Sequence, residues 1–157
     1  MQIKIERTIP ISVGQIEEVE SLLNTNFDED YKSFLLQHNG GIPEVNIFDI
    51  SDKNQSGVNS FIPLSELVSE NSKVLDTPSW AIPIAWAEGG NYVMLSLKGD
   101  GQVIFWDHEL PEEITTLADS FAEFILSLKP FDINSVELKE GQVKKAWIDP
   151  DFLKGLK

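Results

Sequence analysis

Apolar residues at helical spacing predict three helices. The first covers the stretch 16–23, and Ser12 and Gln15 ahead of it have the spacing of a capping box. The second spans 28–38 and is ended by the Asn-Gly-Gly that follows it. The third, 120–128, opens on another Ser-x-x-Glu box and is the clearest amphipathic helix of the chain. We expect each helix to bury one face.

Short runs of apolar residues predict the strands. Residues 2–11 read as a strand with a kink near Thr8, and 45–50 and 58–62 are two further candidates. A single helical turn is expected at 63–67, and the stretch 71–79 is expected to be a loop.

Three stronger strands follow, at 80–86, 91–97 and 102–106. The last two are joined by Lys-Gly-Asp-Gly at 98–101, whose glycines and aspartate favour a tight hairpin. These strands are apolar almost throughout, which predicts a sheet covered on at least part of both faces.

The C-terminal stretch carries weaker patterns. Val136 and Leu138 are compatible with a strand, and Pro150–Leu156 with a short helix. We find no repeat, linker or low-complexity tract, so residues 1–157 are predicted to form a single α+β domain.

The charge is strongly acidic and unevenly distributed. Twelve Lys and Arg stand against 26 Asp and Glu, a net charge of −14. Through Leu128 the count is 6 basic against 21 acidic residues, a balance of −15, and from Lys129 onward it is 6 against 5, a balance of +1. Such a body repels phosphate backbones, so we expect no direct nucleic-acid binding. Acidity favours solubility in any case, and it would also steer the protein toward a basic protein partner.

The sequence contains no cysteine and predicts no targeting signal. No apolar run reaches the roughly 18 residues that cross a bilayer, and the first residues alternate apolar and charged side chains rather than forming a signal peptide. Without cysteine there is no disulfide and no thiolate chemistry. We expect a cytoplasmic protein with no membrane partner.

No constellation of residues predicts catalysis, a metal or a cofactor. His38 is interpreted as a helix-end or exposed residue. Asp107, His108 and Glu109 are adjacent, but neighbouring strand residues point to opposite faces and rarely converge on one ion. The glycine pairs at 40–41 and 89–90 read as turns, because neither has the strand, helix and lysine of a phosphate loop.

The four tryptophans are mostly expected in the core. Trp86 and Trp106 stand at strand ends beside Glu88 and Asp107, and these two are expected to stay partly exposed. An exposed aromatic residue with acidic neighbours is typical of a protein–protein hot spot.

Three blocks of the sequence, in order, resemble the SUKH superfamily, which contains a fungal cell-wall-assembly regulator and many bacterial proteins. The first is Phe-Asp-Glu-Asp-Tyr-Lys at 27–32 with Asn-Gly-Gly-Ile-Pro at 39–43, the second Ile-Pro-Ile-Ala at 82–85 with Glu-Gly-Gly-Asn at 88–91, and the third Leu-Ala-Asp-Ser-Phe at 117–121. The resemblance covers roughly residues 13–130. The family commonly has Leu-Pro before the Asp-x-Tyr-Lys helix, where this chain has Asn26-Phe27-Asp28.

The resemblance implies a fold and a function. It implies helices packed on a mainly antiparallel sheet, and no established catalytic residues. Bacterial members look like immunity proteins that bind and neutralise polymorphic toxins, many of them nucleases. The fungal relative suggests an alternative, a regulatory or scaffold module that binds proteins of cell-wall assembly. An enzyme or ligand binder that uses Asp107, His108 and Glu109 is a third class.

The leading hypothesis is therefore an immunity protein that occludes a basic toxin domain stoichiometrically, with no cofactor. The predicted contact surface is an acidic rim with two aromatic anchors: Glu88, Asp107, Glu109, Glu112, Glu113, Trp86 and Trp106. A second acidic set lies on the N-terminal helices: Glu17, Glu18, Asp28 and Asp30.

Overall fold

The fold combines four helices with two antiparallel sheets, within residues 4–74, 76–98 and 101–130, which a computed structural model describes. The helices are α1 (Val13–Leu23), α2 (Glu29–His38), α3 (Leu64–Lys73) and α4 (Phe121–Ser127). The strands are β1 (Ile5–Glu6), β2 (Ile42–Pro43), β3 (Ile47–Asp49), β4 (Gln55–Phe61), β5 (Ala81–Ala87), β6 (Tyr92–Ser96), β7 (Val103–Trp106) and β8 (Ile114–Ala118). The predicted α+β class is confirmed. The elements predicted at Val136, Leu138 and Pro150–Leu156 lie outside the described residues.

Six strands form an antiparallel sheet whose order, β3-β4-β5-β6-β7-β8, is also their order along the chain. In such a sheet every second connection emerges at the same end. The connections β3–β4, β5–β6 and β7–β8 therefore share one end, and the β4–β5 and β6–β7 connections share the other. The remaining two strands, β1 and β2, pair with each other.

The six-stranded sheet is strongly curled. Phe48 on β3 and Phe105 on β7 have ring centroids 5.8 Å apart, although these strands are four places apart in the sheet. At about 4.8 Å per strand, a flat sheet would separate them by roughly 19 Å. The sheet must therefore wrap around its inner face, where Phe124 of α4 packs on Phe48 with centroids 5.6 Å apart.

Both faces of the sheet bury apolar residues, as the continuous apolar strands predicted. The larger core lies on the concave face and includes Val93, Phe105 and Phe124. A smaller cluster, which includes Met94 and Trp106, lies on the other face. The alternation of strand side chains produces this division, since each residue points opposite to its neighbour.

The predicted starts of α1 and α4 are confirmed by capping hydrogen bonds, whereas Asp28 at the start of α2 makes no side-chain capping bond. The backbone of Gln15 donates to Oγ of Ser12 (3.2 Å) and the side chain of Gln15 accepts from the backbone of Ser12 (2.8 Å), which completes the capping box. At α4 the backbone of Glu123 donates to Ser120 (3.1 Å), but the carboxylate of Glu123 accepts from Asp119 instead. In this second capping box the backbone donor to Glu123 is therefore Asp119, one residue before the N-cap residue Ser120.

Helix α3 is longer than the sequence predicts. A single turn was predicted at 63–67 and a loop from residue 71, but the helix runs from Leu64 to Lys73. Its first turn is fixed from outside, because Oδ1 of the buried Asn39 accepts a 2.7 Å hydrogen bond from the backbone of Leu64. Its last turns carry Glu70, which is only 8% exposed. Tertiary contacts of this kind are invisible in the periodicity of a polar helix.

The strand predictions hold in the centre of the sheet and fail at its margins. Strand β1 ends at Glu6, where Arg7 takes a left-handed φ of 59°, close to the kink predicted near Thr8. Strand β8 was not predicted, because its Ile-Thr-Thr-Leu-Ala sequence is half exposed and lacks a clear alternation. At the opposite edge Ile47 forms a bridge with Lys129, which protects that edge from pairing elsewhere. Among the described helices, none has the length and apolar character required to span a bilayer.

Candidate protein-binding groove

A groove of about 550 Å³ opens at the end of the sheet where the β3–β4, β5–β6 and β7–β8 connections meet. Residues from all three connections line it, so it is a product of the sheet's curl and of the shared end of alternate turns. Glu88 reaches it from the β5–β6 turn, and Asp107 and Glu113 reach it from the β7–β8 loop. No lysine or arginine is among its lining residues in the described part of the chain. The groove is therefore a concentrated negative site.

The structure brings together three of the five acidic residues of the predicted rim. Glu88, Asp107 and Glu113 line the groove, while Glu109 and Glu112 are exposed on the same loop without lining it. All five belong to connections at one end of the sheet. Each carboxylate at that end adds to its negative potential. Whether they contact a partner remains a prediction.

Hydrogen bonds within the loop and to Asn91 fix the loop that carries these acids. Oδ1 of Asp107 accepts from the backbone of Glu109 at 2.9 Å, which closes a tight turn. The indole N–H of Trp106 donates to the carbonyl of Pro111 at 3.3 Å. The side chain of Asn91 accepts from the backbone of His108 at 3.1 Å and lies 2.7 Å from its ring Nδ1. The loop is thus held against the β5–β6 turn.

The expectation that Trp106 stays partly exposed is wrong. Trp106 is 3% exposed, because β7 is covered on both faces and its indole packs in the smaller cluster. Phe105, its neighbour in the strand, lines the groove, so Trp106 points to the opposite face. Its contact with Pro111 gives it a positioning role behind the acidic loop.

Trp86 is partly buried and lies on the same face as Trp106. It stands directly opposite Tyr92, which stands directly opposite Trp106, and residues directly opposite share a face. The indole of Trp86 donates to Oε1 of Glu70 at 3.1 Å. The structure therefore separates the two tryptophans from the acidic groove with which the sequence analysis combined them.

The floor of the groove contains residues that the sequence analysis missed. Ser56 and Phe105 are 7% and 6% exposed, and both line the groove. Leu110 stands at its lip and is 50% exposed. Ser56 lies near the start of β4 with no motif around it, so only the curl of the sheet could have identified it. Leu110 could have been noted as an apolar residue inside an acidic loop.

The second acidic set is partly committed to structure. Oδ2 of Asp30 accepts a 2.9 Å hydrogen bond from the backbone of Ala122 and so caps α4 from α2. Asp28 begins α2 and its carboxylate lies beside Gly101. Glu17 and Glu18 are exposed on α1. The N-terminal helices therefore present fewer uncommitted carboxylates than the sequence suggests.

The histidines form no cluster that would support catalysis. Among the described residues no group of three His, Asp or Glu side chains is placed to hold a metal ion. The ring Nδ1 of His108 is in hydrogen-bond contact with Oδ1 of Asn91. His38 is half buried with its ring 5.3 Å from that of Phe34, and burial lowers its pKa, so the charged form expected at the helix end is disfavoured.

The fold and the groove define a class of protein, an α+β domain in which helices pack on a curled antiparallel sheet that has an acidic groove at one end. The chain belongs to the SMI1 / KNR4 family (SUKH-1), whose model matches residues 10–127. The family resemblance is therefore confirmed. The matched stretch leaves out strand β1 and the C-terminal residues, which the resemblance seen in the sequence also left out.

Two relatives from Bacillus subtilis (strain 168) are similar to this chain. The "SPbeta prophage-derived uncharacterized protein YokK" is 28% identical over 165 residues, which cover 88% of this chain and 85% of the relative. The "Uncharacterized protein YnaB" is 33% identical over 101 residues, which cover 62% of this chain and 61% of the relative.

Proposed function

We propose that this protein is an immunity protein that binds a cognate toxin domain and neutralises it by stoichiometric occlusion. The observation that carries the proposal is the groove at the end of the sheet, which Glu88, Asp107 and Glu113 line and whose lining, in the described part of the chain, contains no lysine or arginine. A folded domain gains no stability from like charges in one place. An acidic concave surface instead favours a basic partner.

The chemistry of a nuclease toxin fits this surface. An enzyme that holds a phosphate backbone needs clustered lysine and arginine in its cleft. An acidic protein that occupies the cleft presents a charge distribution similar to that of the substrate. Long-range attraction would also speed the encounter, because complementary potentials raise association rates at low salt. Speed matters for a protein that must reach the toxin before the toxin finds its substrate.

An apolar residue at the lip adds the short-range part of such an interface. Leu110 lines the groove, is 50% exposed and belongs to the loop that carries Asp107 and Glu113. Apolar contacts beside charged ones are what a specific interface requires, since steering alone gives little residence time. One relative is named as prophage-derived, and a gene carried on a prophage is compatible with the proposal. We place the action in the cytoplasm, where a nuclease toxin would find its substrate.

The test begins with the genes beside the one that encodes this chain. A toxin domain encoded there is purified as a catalytically inactive variant and titrated with this protein by calorimetry at 50 and 500 mM NaCl. We expect a 1:1 complex whose affinity falls as salt rises, because salt screens the attraction between opposite charges. The active toxin should lose its activity at one equivalent. The absence of binding at either salt concentration would contradict the proposal and would favour the alternative of a regulatory module with endogenous partners.

A further inference from the structure

Ser56 is a polar residue at the floor of the groove. It is 7% exposed and lines the groove, and its hydroxyl makes no hydrogen bond to another residue of the described ranges. Its side chain lies on the concave face, since it stands directly opposite the core residue Phe48. The hydroxyl is not among the fully buried unpaired polar atoms of those ranges, so it opens onto the groove. A ligand in the groove can therefore reach it.

The other groups that line the groove define what the partner must offer. The carboxylates of Glu88, Asp107 and Glu113 are acceptors and carry negative charge. A hydroxyl oxygen can also accept hydrogen bonds. A group that suits all of them carries positive charge and several N–H donors. A neutral or anionic group would leave the carboxylates unpaired.

The aromatic floor of the groove distinguishes between arginine and lysine as the basic side chain that would bind there. Phe105 lines the groove and is 6% exposed, so a small part of its ring remains accessible. A guanidinium is planar, carries five N–H donors and stacks on aromatic rings. An ammonium is a compact and strongly hydrated point charge with three donors. The spread of acceptors around an aromatic floor suits the guanidinium better.

We infer that the groove is a receptor for the guanidinium group of an arginine in the partner protein. This inference rests on the proposed function and identifies the partner's contact chemistry. The three carboxylates attract the arginine, the oxygen of Ser56 accepts one of its N–H groups, and Phe105 lies under its plane. The arginine thereby takes the place of the solvent that Ser56 faces in the free protein.

The test uses the whole protein and short peptides. Uniformly ¹⁵N-labelled protein is titrated with a blocked peptide that contains one arginine, and with the same peptide carrying lysine or citrulline. We expect saturable shifts of the amides of Ser56, Phe105 and Asp107 with the arginine peptide. Lysine should bind roughly tenfold more weakly because it has fewer donors, and citrulline should not bind because it is neutral. Equal binding of citrulline or lysine would overturn the inference.

Variants distinguish the groove from general acidity. Glu113→Gln and Ser56→Ala should each weaken binding of the arginine peptide roughly fivefold. Glu18→Gln removes the same charge from exposed α1 and should leave affinity unchanged. The amide spectrum of each variant checks that it is folded. If Glu18→Gln weakens binding as much as Glu113→Gln, attraction is only general and the inference fails.

The two proposals fail in different ways. If the toxin domain binds the protein but the arginine peptide gives no saturable shifts, the guanidinium receptor is wrong while the immunity function stands. If the peptide binds the groove but no neighbouring toxin binds, the receptor stands and the immunity function is wrong.

Discussion

The hydroxyl of Tyr92 donates a 2.6 Å hydrogen bond to Oε1 of Glu70. The same oxygen accepts the indole N–H of Trp86 at 3.1 Å, and Lys73 lies 3.8 Å from the other carboxylate oxygen. One buried carboxylate of α3 thus satisfies two aromatic residues of β5 and β6. This arrangement joins the helix to the sheet.

Replacement of Glu70 by alanine should destabilise the fold by about 2–3 kcal/mol, because Tyr92 and Trp86 lose a charged acceptor in a largely dry site. Urea denaturation followed by tryptophan fluorescence measures this. Glu66→Ala on the exposed side of the same helix is the matched control and should cost about 0.5 kcal/mol or less. Equal effects of the two substitutions would show that Glu70 acts only as a helix residue.

The contribution of Glu70 should disappear in acid. Burial raises the pKa of this carboxyl, but the hydrogen bonds from Tyr92 and Trp86 and the charge of Lys73 outweigh it, and the net pKa lies below its ordinary 4.5. A group with a depressed folded pKa stabilises the fold above its unfolded pKa and loses that effect as the pH falls through the folded value. The difference in unfolding free energy between wild type and Glu70→Gln should therefore be constant above pH 5.5 and shrink below about pH 4.5. A difference that grows in acid would contradict this.

The two tyrosines of the chain should respond oppositely to loss of the hydroxyl. Tyr31 is 1% exposed, burial raises its pKa, and its hydroxyl has no hydrogen-bond partner among the described residues. Tyr31→Phe should stabilise the protein by about 1 kcal/mol, whereas Tyr92→Phe should destabilise it by about 1–2 kcal/mol. Thermal and urea unfolding of both variants test this. Destabilisation of similar size in both would mean that Tyr31 has a partner, such as a buried water.

Two glycines make a matched pair for backbone effects. Gly101 has a φ of +68°, and a Cβ there would come within 2.5 Å of Oδ2 of Asp28. Gly101→Ala should therefore cost about 1–3 kcal/mol. Gly14 lies in α1, where a Cβ would meet only Oγ of Ser12 at 3.8 Å, so Gly14→Ala should stabilise by about 0.5–1 kcal/mol. Equilibrium unfolding should give opposite signs, and equal signs would refute the argument.

The central strands and the helix caps could be predicted because their signals are local. Ser12 and Gln15 lie three residues apart, and β5, β6 and β7 are continuous apolar runs bounded by turns. The margins could not be predicted, since β8 is half exposed and α3 is fixed by Asn39, which is 25 residues away from Leu64. Long-range contacts decide these elements, and a pattern of neighbouring residues does not contain them.

The candidate site was predicted in part. Glu88 and Asp107 were identified beside apolar strands, and antiparallel topology brings them to one end of the sheet. Ser56 was missed because a serine in a strand has no distinguishing sequence signal. Trp106 was placed wrongly because a strand end reads as exposed, whereas the loop after β7 folds back over its indole. Which acids form a groove depends on the curl of the sheet, and that is a tertiary property.

The most direct measurement compares two charge reversals of equal size in complex formation with the neighbouring toxin domain. Glu88→Lys with Glu113→Lys reverses two charges that line the groove, and Glu17→Lys with Glu18→Lys reverses two exposed charges on α1. The net charge changes equally in both proteins. We predict that the groove variant binds the toxin domain roughly 100-fold more weakly than wild type. The affinity of the α1 variant should stay within about threefold of that of wild type. Equal loss in both, or loss only in the α1 variant, would contradict the groove as the binding site.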